Sequence, residues 1–134
     1  MLDEVVINKT QVIERCLARI REVYAGDPAN LKDYTKQDSI ILNLQRAAEA
    51  CIDLAMHVVA EKGLGVPQTS REAFSLLREG GLLPEEMCRR MQAMVGFRNI
   101  AIHDYQAINL EIVKAIVERH LEDLVEFARL VAAI

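Results

Sequence analysis

A short polar cluster near the end of the fourth predicted helix holds the residues best suited to chemistry. Arg98, Asn99, His103 and Tyr105 lie within eight consecutive positions. Arginine stays cationic and presents a planar fork of donors to phosphate oxygens, and an unperturbed histidine exchanges protons near neutral pH. These residue types together suit a phosphate substrate and acid–base work on it. We therefore take this cluster as the candidate catalytic site.

The spacing of Arg98 and His103 limits how the two can act together. Positions five apart on an ideal helix point roughly 140° away from each other, so the two side chains cannot share one face. Either the helix ends before His103 and the imidazole swings back, or each side chain meets groups from elsewhere, including a second subunit. The spacing alone also leaves open a structural role, with Arg98 capping carbonyls near its helix end.

The elements that must position this cluster are predicted to be helices. Apolar residues recur at three- and four-residue intervals, and only three prolines and six glycines punctuate the chain. The fold class is therefore all-α, and a four-helix up-and-down bundle with one short additional helix is the simplest packing. One domain is expected to span residues 1–134. The predicted helices cover about 3–24, 35–63, 69–80, 84–103 and 109–134.

Length and charge restrict the class of protein. The 134 residues are 51% hydrophobic, enough for one domain with a buried core. No apolar run approaches the ~18 residues of a membrane span, and the first residues are acidic where a signal peptide is basic, so we expect a cytoplasmic protein without membrane contact. The net charge of -4 lacks the basic footprint typical of a nucleic-acid binder.

The other reactive residue types form no recognisable pattern. Cys16, Cys51 and Cys88 are odd in number and include no C-x-x-C pair, which predicts buried reduced thiols. His57 and His120 lie in predicted helices and are expected to be structural or solvent-facing. Paired metal-ligand spacing and phosphate-binding loops are absent from the sequence, so we predict neither a metal nor a cofactor.

Two rows of polar residues recur every four positions. Gln45, Glu49 and Asp53 follow the second helix, and the sequence leaves open whether they line a groove or form a merely polar face. The second row lies on the last helix and is expected to be solvated, with Arg119 and Asp123 as an i,i+4 ion pair. Its members are Glu118, Glu122 and Glu126.

Several segments together resemble the HepT group of HEPN proteins. The hallmark of that family is an arginine, usually followed by a polar residue, and a histidine after four to six residues. Arg98, Asn99 and His103 fit this pattern, and Tyr105 completes the form R-x4-H-x-Y. The other matching positions are Gln45, Glu49, Asp53, His57, Gly65-Val-Pro67, Glu72-Ala-Phe74 and Met94-Val-Gly-Phe97.

The resemblance implies an all-α homodimer that acts as a metal-independent endoribonuclease toxin. Its partner would be a minimal nucleotidyltransferase antitoxin that transfers AMP to the motif tyrosine, here Tyr105. We expect His103 to move protons, Arg98 to stabilise the phosphate, and Asn99 to orient one of them. One chain supplies one histidine to this cluster, so the two copies of Arg98 and His103 should face each other across a two-fold axis.

Two alternatives to a nuclease remain at this stage. The first is a non-enzymatic helical dimer whose polar cluster binds a nucleotide or a protein partner through Arg98 and Asn99. The second is a helix-turn-helix module over residues 69–95, which we disfavour because its recognition helix would be rich in methionine and would begin with Glu85 and Glu86.

Overall fold

The computed structural model describes residues 3–134, and these form six α-helices joined by short loops and two 3₁₀ turns, without a strand. The helices are α1 (Glu4–Tyr24), α2 (Tyr34–Glu61), α3 (Ser70–Glu79), α4 (Glu85–His103), α5 (Leu110–Arg119) and α6 (Leu121–Ala132). The 3₁₀ turns cover Pro28–Lys32 and Tyr105–Ala107. The all-α prediction is confirmed. Within residues 3–134, no helix has the length and apolarity required to cross a membrane.

Side-chain caps fix the starts of the helices that flank the candidate site. The Thr69 hydroxyl accepts the backbone N–H of Glu72 at 3.1 Å, and the Glu72 carboxylate accepts the N–H of Gln68. Asn109 caps α5 by accepting the N–H of Glu111 at 2.8 Å. The Thr69 and Asn109 side chains each satisfy an N–H that the first helical turn leaves without a partner. The helix starts predicted at residues 69 and 109 are therefore confirmed.

The single helix predicted after residue 109 is instead two helices. His120 has φ -124° and ψ 2°, far from helical values, and it separates α5 from α6. Asp123 therefore turns inward, where its carboxylate pairs with Arg90 of α4 at 3.0 Å and with His120 at 3.1 Å. The predicted ion pair between Arg119 and Asp123 is wrong, because the break removes the i,i+4 register between them. The row of Glu118, Glu122 and Glu126 is exposed, as predicted.

Helix α2 is the centre of the core, since it packs against α1, α3, α4 and α6. Small residues let its neighbours approach closely, and its buried alanines are Ala47, Ala48, Ala50 and Ala55. The three cysteines are free and buried, as predicted, and burial raises the pKa of the Cys51 thiol. A thiol held in its neutral form in the core is an inert packing group.

Helix α3 packs against α2 and α4, and an aromatic contact also joins it to α6. Phe74 is 1% exposed, and its ring lies edge-on to Phe127 of α6, with centroids 5.3 Å apart and planes at 64°. Edge-to-face geometry of this kind adds to the burial of two large apolar rings. Phe74 is therefore a main contributor to the packing of α3 against the core.

Replacing Phe74 by alanine tests this anchor. We expect Phe74→Ala to lower the free energy of unfolding by about 3–5 kcal/mol, because it leaves a ring-sized cavity in the core. Urea denaturation followed by circular dichroism measures the change. Val66→Ala is the control, since Val66 is 78% exposed and should shift stability by no more than about 0.5 kcal/mol. Equal effects of the two substitutions would show that α3 is not anchored by this ring.

Candidate functional site

Arg98 is held by side chains from two other helices. Its Nη1 donates to Glu49 Oε2 of α2 at 2.8 Å, and its Nη2 donates to Ser70 Oγ of α3 at 3.1 Å. The Arg98 side chain is 16% exposed, whereas that of Glu49 is 45% exposed. The guanidinium is therefore fixed at the junction of α2, α3 and α4, beside a carboxylate that reaches the surface. Asn99, the next residue, is half-buried.

Helix α4 continues through His103, so the arrangement in which the helix ends before His103 is wrong. The Asp104 N–H donates to the Ile100 carbonyl at 2.9 Å and closes the final turn. No glycine or proline interrupts this turn. The roughly 140° between positions five apart therefore applies in full, and Arg98 and His103 lie on different sides of α4. Arg98 is turned towards the protein interior, and His103 is exposed.

The side of α4 that carries His103 borders an apolar groove, which α5 and the start of α6 complete. Gly96, Ile100 and His103 are spaced four and three residues apart and share one face of the helix. Ile100 and Ile112 of α5 are 44% and 53% exposed. The apolar groove has a volume of about 390 Å³. Its apolar walls include Ala93, Gly96, Phe97, Ile100, Ile112 and Ile116.

The three polar residues spaced along α2 do not act as a set. Glu49 reaches Arg98, whereas Asp53 forms an ion pair with Lys9 of α1 at 2.9 Å. Gln45 is half-buried. Glu49 therefore contacts the motif, whereas Asp53 joins α1 to α2.

Tyr105 begins the 3₁₀ turn that follows α4, and its hydroxyl donates a hydrogen bond to Asp38 of α2. The residue is 41% exposed. Partial burial, the hydrogen bond to Asp38 and the charge of that carboxylate raise the pKa of Tyr105 to about 12. All three effects favour the neutral phenol over the phenolate.

Sequence reasoning missed two residues that contact the motif, Ser70 and Asp38. Ser70 was visible only as part of the capping box that starts α3, and Asp38 only as a polar residue near the start of α2. Both contacts cross between helices that are distant in sequence, so the local pattern around each residue carries no signal of its partner.

A second polar cluster lies at the start of α1 and the end of α2. His57 Nε2 lies 2.6 Å from Asp3 Oδ2 and 3.6 Å from Glu61 Oε1. The other oxygen of Asp3 caps α1, and the hydrogen bond to His57 lowers the pKa of the Asp3 carboxyl. Asp3, His57 and Glu61 each offer one atom that could bind a metal ion, and these three atoms lie within 4.8 Å of one another. The hydrogen bond to Asp3 gives His57 a structural role, one of the two predicted for it.

The contact between Tyr105 and Asp38 makes a prediction about titration. In the unmodified protein the Tyr105 phenol should titrate near pH 12. Asp38→Asn removes the negative charge, so we expect the pKa of Tyr105 to fall towards the ordinary value of about 10. Nuclear magnetic resonance of tyrosine labelled at Cζ measures it, with Tyr105→Phe assigning the signal. An unchanged titration in Asp38→Asn would contradict the contact.

The chain combines an all-α domain, a largely buried arginine and an exposed histidine on one helix, and a tyrosine two residues after that histidine. Its fold matches that of a HEPN toxin. A family model described as "Ribonuclease HepT-like" matches residues 13–131, and the chain belongs to this family. The resemblance drawn from the motif is thereby confirmed, and the chain is a ribonuclease of this family.

Similar proteins extend over nearly the whole chain. It is 47% identical over 133 residues to an mRNA nuclease HepT of Shewanella oneidensis, covering 98% of this chain and 99% of that protein. A tri-AMPylated Shewanella oneidensis HEPN toxin in complex with an MNT antitoxin superposes with a TM-score of 0.94 at 47% identity, over 99% of this chain and 100% of that one. A toxin–antitoxin complex with AMP-PNP gives 0.93 at 47% identity, over 98% and 100%.

Proposed function

We propose that this chain is the endoribonuclease toxin of a cytoplasmic toxin–antitoxin pair, that it cleaves RNA without a metal, and that its active site forms between two copies of the chain. The main support for the proposal is that two residues of the motif, Arg98 and His103, lie on different sides of α4. Arg98 is fixed by Glu49 and Ser70, while His103 stands exposed on another side of the same helix. The similarity to an mRNA nuclease over nearly the full length supports it.

The chemistry requires no metal because RNA carries its own nucleophile. His103 takes the proton of the 2′-hydroxyl, the 2′-oxygen attacks the phosphorus, and the bond to the 5′-oxygen breaks. A second His103 gives a proton to that leaving oxygen. The products are a 2′,3′-cyclic phosphate and a 5′-hydroxyl. Asn99 is half-buried beside Arg98 and is placed to orient the phosphate or the imidazole.

Arg98 stabilises the charge that accumulates on the phosphate. Each Nη atom carries two hydrogens, so the bonds to Glu49 and Ser70 leave one donor on each. Glu49 and Ser70 thus act as positioning residues, since they set the plane of the guanidinium before the substrate arrives. Donors already oriented towards the developing charge need not reorganise during the reaction.

A dimer resolves two shortcomings of the single chain. Cleavage requires an acid and a base on opposite sides of the phosphorus, but the cluster contains one histidine, His103. The apolar groove exposes Ile100 and Ile112 on the side that carries His103. Packing two such grooves together around a two-fold axis buries these isoleucines and places both copies of His103 at one interface.

The proposed partner is a minimal nucleotidyltransferase antitoxin that transfers AMP to Tyr105. Support comes from the tri-AMPylated toxin whose structure this chain closely matches. Tyr105 lies two residues from His103 and is 41% exposed. A bulky, negatively charged adenylyl group at that position fills the approach to His103 and repels the RNA phosphate.

Cleavage of RNA by substituted proteins tests the catalytic roles. We expect Arg98→Ala and His103→Ala each to lose at least about 100-fold in cleavage rate, because one removes charge stabilisation and the other proton transfer. A chelator should leave the wild-type rate unchanged. Arg89→Ala is the matched control, since the Arg89 side chain is 69% exposed and pairs only with Glu86 within the described contacts.

Three outcomes would contradict the proposal. Inhibition by a chelator would show that a metal takes part, and full activity of His103→Ala would remove its proton carrier. RNA binding without cleavage by any form would favour the alternative, a non-enzymatic dimer that uses the polar cluster as a binding pocket.

Charged substitutions in the apolar groove test the dimer. We expect Ile100→Glu and Ile112→Glu to yield monomers, because each buries a carboxylate against an apolar surface in the assembled state. Size-exclusion chromatography with light scattering measures the mass, and RNA cleavage should fall in parallel. Val66→Glu is the control, since Val66 is exposed and lies outside the groove. Monomers that cleave RNA at the wild-type rate would exclude a shared active site.

A further inference from the structure

Tyr105 borders a second depression, distinct from the apolar groove, which we call the tyrosine pocket. It lies between the start of α2 and the turn after α4 and has a volume of about 440 Å³. Tyr34, Gln37, Asp38 and Gln106 supply its polar walls. The pocket is open at the surface, where Tyr34 is 80% exposed. The phenolic oxygen of Tyr105 therefore meets a cavity with room for a ligand, and Asp38 is its hydrogen-bond acceptor there.

A tyrosine that acts as a nucleophile must lose its phenolic proton, which makes the acceptor Asp38 relevant to the chemistry. With a pKa of about 12, the phenol is ionised in only about one molecule in 100,000 at pH 7. Attack on phosphorus therefore needs a base that takes the proton as the new bond forms. The Tyr105 hydroxyl already donates to a carboxylate, which is the geometry required of a general base.

We propose that Asp38 is the general base for adenylylation of Tyr105, so that this chain supplies part of the machinery that silences it. The inference rests on the proposed function, in which Tyr105 receives AMP. The Tyr105 oxygen attacks the α-phosphorus of ATP, the bond from that phosphorus to the bridging oxygen breaks, and pyrophosphate leaves. The phenolic proton passes to an Asp38 carboxylate oxygen and from there to water.

The other groups around the Tyr105 hydroxyl do not compete for this role. Helix α2 contributes the titratable groups Tyr34 and Asp38 to the pocket, and the walls on the side of α5 are apolar. His103 and Asp104 precede Tyr105 in the chain. Within residues 3–134, the Tyr105 hydroxyl forms its hydrogen bond with Asp38 and not with either of them. Asp38 is thus the carboxylate among the residues that line the pocket.

The test follows AMP transfer to this chain by a minimal nucleotidyltransferase antitoxin of the kind bound in the Shewanella complex, using radiolabelled ATP and peptide mass spectrometry. At pH 7 we expect Asp38→Asn to slow the transfer by about 100-fold or more, since asparagine still accepts a hydrogen bond but takes no proton. Asp104→Asn, which removes the carboxylate adjacent in sequence, should react like the wild type. Tyr105→Phe should take up no label.

The pH dependence separates a base from a structural contact. Without a base, reaction depends on the phenolate, whose fraction grows about tenfold per pH unit below the pKa. The deficit of Asp38→Asn relative to the wild type should therefore shrink as the pH rises from 7 to 9. A deficit that is constant with pH would indicate a structural role, and transfer at the wild-type rate or faster would also overturn the proposal.

One outcome concerns the proposed function instead. If the wild-type chain takes up no AMP on Tyr105 under any condition, regulation at this tyrosine fails and the role of Asp38 fails with it. If the wild type is modified and Asp38→Asn is modified equally well, Tyr105 remains the acceptor and the inference about Asp38 alone is overturned. Thermal melts of each variant establish that the compared proteins are folded.

Discussion

The ion pair between Arg98 and Glu49 is the interaction on which the arrangement of the site depends. It joins α4 to α2, the central helix of the core, and Ser70 extends the same guanidinium contact to α3. Because the Arg98 side chain is largely buried, its charge would be costly without a partner. A binding site that shares its cation with the packing of three helices keeps that cation in one place.

The continuity of α4 then places Arg98 and His103 on different sides of the helix. A helix without a break through His103 directs Arg98 towards the interior and His103 towards the surface. In the proposed mechanism, the phosphate stabiliser Arg98 is thus rigid, and the proton carrier His103 is accessible. In the proposed dimer, each exposed histidine is completed by its copy from the second subunit.

The sequence predicted those parts of the molecule that depend on local patterns. Apolar spacing gave the helices, and the caps at Thr69 and Asn109 gave two of their starts to the residue. The break at His120 had no such signal, because neither glycine nor proline marks it. It accompanies the inward turn of Asp123 towards Arg90, a contact with a helix more than thirty residues earlier. The partners of Arg98 and Tyr105 were missed for the same reason, since tertiary packing alone brings Ser70 and Asp38 to them.

The end of α4 and the turn after it place the proposed catalytic histidine and the proposed regulatory tyrosine within three residues. His103 ends the helix, and Tyr105 starts the 3₁₀ turn that leads away from it. The hydrogen bond from Tyr105 to Asp38 ties this turn to the start of α2, while the bond from Arg98 to Glu49 ties α4 to a point eleven residues further along the same helix. Arg98 and Tyr105 are therefore both held in position by α2. If Tyr105 receives AMP as proposed, the adenylyl group projects from a fixed position beside His103, and its charge repels the RNA phosphate without any change in the fold.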